Sequence, residues 1–82
     1  MNHSQVVDDI INLLNDFNSF GVTMKESTSL VDDIGLDSLS MIQFITLLEH
    51  QLGISVLDSE VNRENFANVG SLARFVARKI TG

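Results

Sequence analysis

The sequence predicts an all-α domain: a small four-helix bundle of three main helices and one short one, with a long loop between helices 1 and 2. Three stretches carry apolar residues at helical spacing, and no proline interrupts any of them. The one short alternating stretch, Ile54-Ser55-Val56, has no second strand to pair with, and an isolated strand does not hold in water. No repeat, low-complexity run or linker divides the 82 residues, so 1–82 reads as a single domain. That is near the lower size limit of a core without cysteines.

The first helix is predicted over about 4–18. Val6, Val7, Ile10, Ile11, Leu13, Leu14 and Phe17 share one arc of a helical wheel, and Asp8, Asp9, Asn12, Asn15 and Asp16 take the other. Ser4 is the candidate N-cap, with Asp8 and Asp9 near the positive end of the helix dipole. From Asn18 to Asp37 no period is sustained, and loops of that length in compact domains are usually functional. Phe20, Val22, Met24, Leu30, Ile34 and Leu36 within it are expected to pack onto the helices, with a single turn at Leu30 to Asp33.

The second helix is predicted over about 38–52, roughly 22 Å at 1.5 Å per residue. Its core face is Met41, Phe44, Ile45, Leu48 and Leu52, while Leu39 and Ile42 fall on the opposite side among Gln43, Thr46 and His50. A short helix is expected within Asp58 to Phe66. The last helix is predicted over about 69–80, with Asn68 as N-cap. It turns Leu72, Phe75, Val76 and Ile80 inward and holds Arg78 and Lys79 at its negative end.

The net charge of −6 is unevenly spread. Residues 1–60 hold ten acids and one base (Lys25), −9, whereas residues 61–82 hold one acid (Glu64) and four bases, +3. An acidic surface of that extent repels nucleic acid and anionic membranes and attracts basic protein patches. The absence of cysteine excludes disulfides and thiolate metal sites and suits a reducing, cytoplasmic setting. No segment is long and apolar enough to span a bilayer, and the N-terminus lacks the layout of an export signal.

Several chemistries fail on spacing. A hydrolase serine needs a base within reach, but no Gly-x-Ser-x-Gly is present. The histidines are His3 near the terminus and His50, about three helical turns beyond Ser38. A calcium loop starting at Asp32 would place Ile34 and Leu36 where oxygen ligands are required. No metal-ligand spacing is present. Ser38 therefore has no activating partner of its own, and an external agent must modify it.

Asp32-Asp33-Ile34-Gly35-Leu36-Asp37-Ser38-Leu39 resembles the prosthetic-group motif of the acyl carrier protein family. Leu48-Glu49 and Gly53-Ile54 follow at that family's spacing, and Asn65 to Leu72 is similar to its approach to the last helix. The resemblance implies a non-catalytic carrier whose Ser38 bears 4′-phosphopantetheine delivered from coenzyme A by a separate phosphopantetheinyl transferase. It implies further partners: an acyl- or aminoacyl-loading enzyme and a downstream synthase, transferase or thioesterase. A helix N-terminus suits the phosphodiester, since its free N–H groups and dipole favour an anion. Partner docking is expected on Asp37, Leu39, Ile42, Gln43, Thr46 and Glu49, in the helix-in-groove manner.

Fatty-acid carriers of this family usually present a strongly acidic second helix. Here Ser40, Gln43 and His50 stand at positions often acidic, which points to a specialised biosynthetic pathway and more apolar docking. The implied protein is a free-standing, monomeric carrier that binds neither nucleic acid nor membrane. Two alternatives stand beside it: a discrete aminoacyl or peptidyl carrier, and an acidic helical interaction module in which Asp37 and Ser38 merely cap a helix.

Overall fold

A computed structural model describes residues 2–17 and 23–81. Three α-helices form: α1 (His3–Phe17), α2 (Ser38–Leu52) and α3 (Val69–Thr81). Among the described residues no strand forms, and Ile54 to Val56 is irregular chain that pairs with no second strand. Helix α1 packs against both α2 and α3. Its inward face is the predicted one, with Val6, Val7, Ile10, Leu13 and Leu14 buried and Ile11 and Phe17 half-buried against the same core.

The start of α1 differs from expectation. Its cap is Asn2, not Ser4: the Gln5 N–H donates to Asn2 Oδ1 at 2.9 Å, and the Asn2 N–H donates back to Gln5 Oε1 at 3.1 Å. This reciprocal pair satisfies two donors at once, which a serine two residues later could not do for the first turn.

The expected short helix is reduced to one 3-10 turn, Asp58–Glu60, followed by turns through Phe66. Two asparagines divert the backbone there. Asn62 Oδ1 accepts from the Asn65 N–H, and the Asn65 amide donates to the Glu60 carbonyl, so side chains take bonds a helix would need. The segment is stapled to α3 from outside. Lys79 Nζ reaches Glu60 Oε1 at 2.9 Å, and Arg78 donates to Asn65 Oδ1 at 3.3 Å.

Helix α3 starts as predicted, with Asn68 Oδ1 accepting from the Ser71 N–H at 2.8 Å. Leu72, Phe75 and Val76 are buried. Ile80, expected inward, is exposed, because core packing along α3 stops one turn earlier at Val76 and Ala77.

The loop before α2 is pinned to the start of α3. The Leu30 N–H donates to the Ala67 carbonyl, Val69 N–H to Thr28, and Gly70 N–H to Glu26, around an antiparallel bridge between Ser29 and Asn68. Leu30, Ile34 and Leu36 are buried and Met24 is half-buried, as expected. The turn at Leu30 to Asp33 also forms, closed by the Ser29 carbonyl accepting from Asp33 and Ile34. Phe20 and Val22 lie outside the described residues.

Candidate functional site

The loop delivers Ser38 to the surface through a chain of local constraints. Asp33 Oδ2 accepts from the Ser29 N–H and Ser29 Oγ accepts from the Asp32 N–H, which locks the turn. Gly35 then bends the chain at φ +83°, a left-handed conformation that side-chain-bearing residues rarely adopt. The Leu36 N–H closes back on the Leu30 carbonyl at 3.0 Å, and the Leu36 side chain is buried. With Leu36 anchored, Asp37 and Ser38 face solvent.

Asp37 is the N-cap of α2. Its backbone is extended, and its Oδ1 accepts from the Ser40 N–H at 2.8 Å. The Asp37 carbonyl accepts from Met41 at 2.8 Å, the first bond of the helix ladder. Ser38 is thus the first helical residue, exposed, and its hydroxyl has no hydrogen-bond partner among the described residues. At its far end α2 stops at Gly53 (φ +65°), whose N–H donates to the Glu49 carbonyl.

Of the other residues singled out in the sequence, Leu39, Ile42, Gln43 and Thr46 are all exposed along α2. Glu49 is half-buried, and its carboxylate is already engaged: Oε2 accepts from the Val56 N–H at 2.8 Å, holding the chain after α2 in place. Sequence reasoning gave no sign of that bond, since nothing in the spacing of Glu49 and Val56 marks it.

Beside α2 lies an open cleft of about 650 Å³. Val31 and Asp32 line it from the loop, Met41 from α2, and Val61, Arg63 and Phe66 from the segment before α3. Met41 is one turn along from Ser38, so the cleft adjoins the serine end of the helix. No motif predicts the two rim valines, which come together only through the loop's attachment to α3.

Two carboxyls have shifted acidities. The Ser40 backbone N–H, and then the Ser40 hydroxyl, hold Asp37 below its ordinary value. The Leu57 N–H, and then Lys79, do the same for Glu60. A depressed folded pKa stabilises the fold above the unfolded value, and that contribution is lost as pH falls through the folded pKa. The melting temperature is therefore expected to fall as pH drops below about 4.5, the ordinary glutamate value. Asp37→Asn, which keeps a capping oxygen, and Glu60→Gln should each flatten that fall in a pH series of thermal melts. An unchanged slope in both would remove these two groups from the acid response.

Comparison with known proteins agrees with the resemblance. Residues 8–76 match the family described as phosphopantetheine attachment site. The chain is 34% identical over 53 residues to the acyl carrier protein of Wolinella succinogenes, covering 65% of this chain and 67% of that one. It is 29% identical over 57 residues to the acyl carrier protein of Thermotoga maritima (70% and 68%), and 32% identical over 53 residues to that of a Sulfurovum species (65% and 68%). The protein is a phosphopantetheine-dependent carrier, not a catalyst. It belongs to the acyl carrier protein family.

Proposed function

We propose that residues 1–82 form a single carrier domain on which Ser38 bears the 4′-phosphopantetheine arm. In this reading Ser38 Oγ attacks the pantetheine-bearing phosphorus of coenzyme A. A phosphodiester forms, the adenosine bisphosphate half leaves, and the serine proton passes to a base of a phosphopantetheinyl transferase. The arm supplies the thiol that the cysteine-free chain lacks, so thioester chemistry belongs to it. A loading enzyme and a downstream synthase, transferase or thioesterase then exchange acyl groups on that thiol.

The observation that carries this reading is the exposed Ser38 hydroxyl, without a hydrogen-bond partner among the described residues, at the first position of α2 and inside the matched family region. Around it the chain's residues favour an anion weakly: the helix start attracts it, while the Asp37 carboxylate opposes it and occupies the Ser40 N–H. Partner docking falls to Asp37, Leu39, Ile42, Gln43 and Thr46, with Glu49 contributing by fixing the end of α2. The near-absence of acids along α2 supports a specialised pathway over primary fatty-acid synthesis.

Intact mass after incubation with coenzyme A, Mg²⁺ and a broad-specificity transferase tests the reading. One added phosphopantetheine is expected. No addition, where a control carrier is modified, would leave Ser38 as a helix residue only.

The cleft beside Met41 is the place for a short acyl chain, since half-buried Met41 and buried Phe66 line it and the exposed side chains of Val31 and Val61 stand at its rim. Acylated protein should then melt above the form carrying the bare arm, because binding to the folded state stabilises it. Equal melting temperatures would place the cargo in solvent.

A further inference from the structure

The cleft beside α2 offers a cargo more than apolar surface. Half-buried Met41 and buried Phe66 line it together with four polar residues, Ser29, Asp32, Asn62 and Arg63. Two of the four are engaged within the molecule. Ser29 Oγ accepts from the Asp32 N–H at 3.0 Å. Asn62 Oδ1 accepts from the Asn65 N–H at 2.9 Å, and its amide donates to the Ser59 carbonyl at 3.1 Å. The other two are exposed and ionised, Asp32 on the loop and Arg63 on the segment before α3. Neither enters an ion pair among the described residues, where the pairs are His3–Glu26 and Lys79–Glu60. The bond that Asp32 gives to Ser29 uses its backbone and not its carboxylate.

Donors and acceptors decide what such a lining favours. The Asp32 carboxylate only accepts hydrogen bonds, and the Arg63 guanidinium only donates them. An alkyl chain satisfies neither and displaces water from both charges, which costs free energy. A carboxylate on the cargo gains from Arg63 but meets the like charge of Asp32, and an ammonium has the reverse problem. A hydroxyl carries no charge, donates one bond and accepts two, so it suits both residues.

We propose, on the reading of Ser38 as the attachment residue and of the cleft as the cargo's place, that Asp32 and Arg63 select the cargo. The class they select is a short acyl group bearing a hydroxyl. The hydroxyl donates to the Asp32 carboxylate or accepts from the Arg63 guanidinium, while the methylene groups lie against Met41 and Phe66. Plain alkyl, anionic and cationic acyl groups of the same length are held less well.

The test loads the full chain with a broad-specificity transferase and Mg²⁺, from coenzyme A and from its butanoyl, β-hydroxybutanoyl, malonyl and β-aminobutanoyl thioesters. Intact mass confirms each load, and thermal melts compare the products. The β-hydroxybutanoyl form is expected to melt about 4 °C or more above the butanoyl form, the shift of roughly one net hydrogen bond in a domain this size. The malonyl and β-aminobutanoyl forms should melt below it. Asp32→Ala/Arg63→Ala should erase the hydroxyl's advantage and leave the bare-arm form melting as in wild type, since both side chains are exposed. Equal melting of the β-hydroxybutanoyl and butanoyl forms overturns the proposal. So does a charged cargo that melts as high as the hydroxyl form, or an advantage that the double variant keeps. No acyl form above the bare arm would place the cargo in solvent and overturn the proposal, while the added mass still upholds the carrier reading. No added mass on any sample sinks the carrier reading itself.

Discussion

Ser38→Ala is expected to abolish phosphopantetheine transfer completely and to leave the fold intact. The loss is all-or-none because the oxygen removed is the one that forms the new bond. The stability change should lie within about 0.5 kcal/mol, as for exposed positions without special contacts. Ser38 is exposed and its hydroxyl bonds no described residue, while alanine is at home inside a helix. The informative control is Ser40→Ala. Ser40 lies two residues further on, half-buried, with its N–H and hydroxyl both turned to the Asp37 carboxylate. It has the same chemistry as Ser38 but not the same access. Intact mass should show one addition on wild type and Ser40→Ala and none on Ser38→Ala. One addition on Ser38→Ala would move the site to another hydroxyl, and a collapsed melting curve for that variant would show that Ser38 holds structure.

The contrast between Ser38 and Ser40 also shows what could be read from the chain. Helical wheels separated Phe44, Ile45 and Leu48 from Leu39 and Ile42 because a short bundle has only one core for each helix to face. The cap at Asp37, the glycine bend at Gly35 and the buried leucine between them are local, so the exposure of Ser38 followed from neighbouring residues. What escaped notice depends on partners distant in sequence or on competition between near-equals. Asn2 displaced Ser4 as the cap of α1 because Gln5 could return its bond. The Asp58 to Phe66 helix shrank because Asn62 and Asn65 offered the backbone other partners. Glu49 looked like a surface acid until the chain after Gly53 folded back and brought the Val56 N–H to it. The cleft needs the loop's bonds to Ala67 and Val69, which no periodicity encodes.

Phe44→Ala is expected to have the largest effect on stability, and to disable the carrier without touching its site. Phe44 is fully buried at the centre of α2 and meets Phe17 of α1 edge-on, with ring centroids 6.0 Å apart. It is therefore a principal contact by which α2 is held to α1. Truncating a buried phenylalanine to alanine costs about 3–5 kcal/mol in lost transfer energy and residual cavity. A domain of this size has only roughly 4–12 kcal/mol in total, at 0.05–0.15 kcal/mol per residue, and no disulfide to fall back on. Much of the folded population should go with the ring, read as a sharp drop in the urea midpoint. Phe44→Leu refills most of the space and should lose far less. Transfer to Ser38 should follow the folded fraction, because the serine is presented only while α2 is capped and docked. If Phe44→Ala were as stable as wild type, the packing of α2 on α1 would not depend on this ring. If it unfolded yet was modified at the wild-type rate, the transferase would be reading the motif as an extended peptide, and the exposed Leu39 and Ile42 of α2 would have no part in recognition.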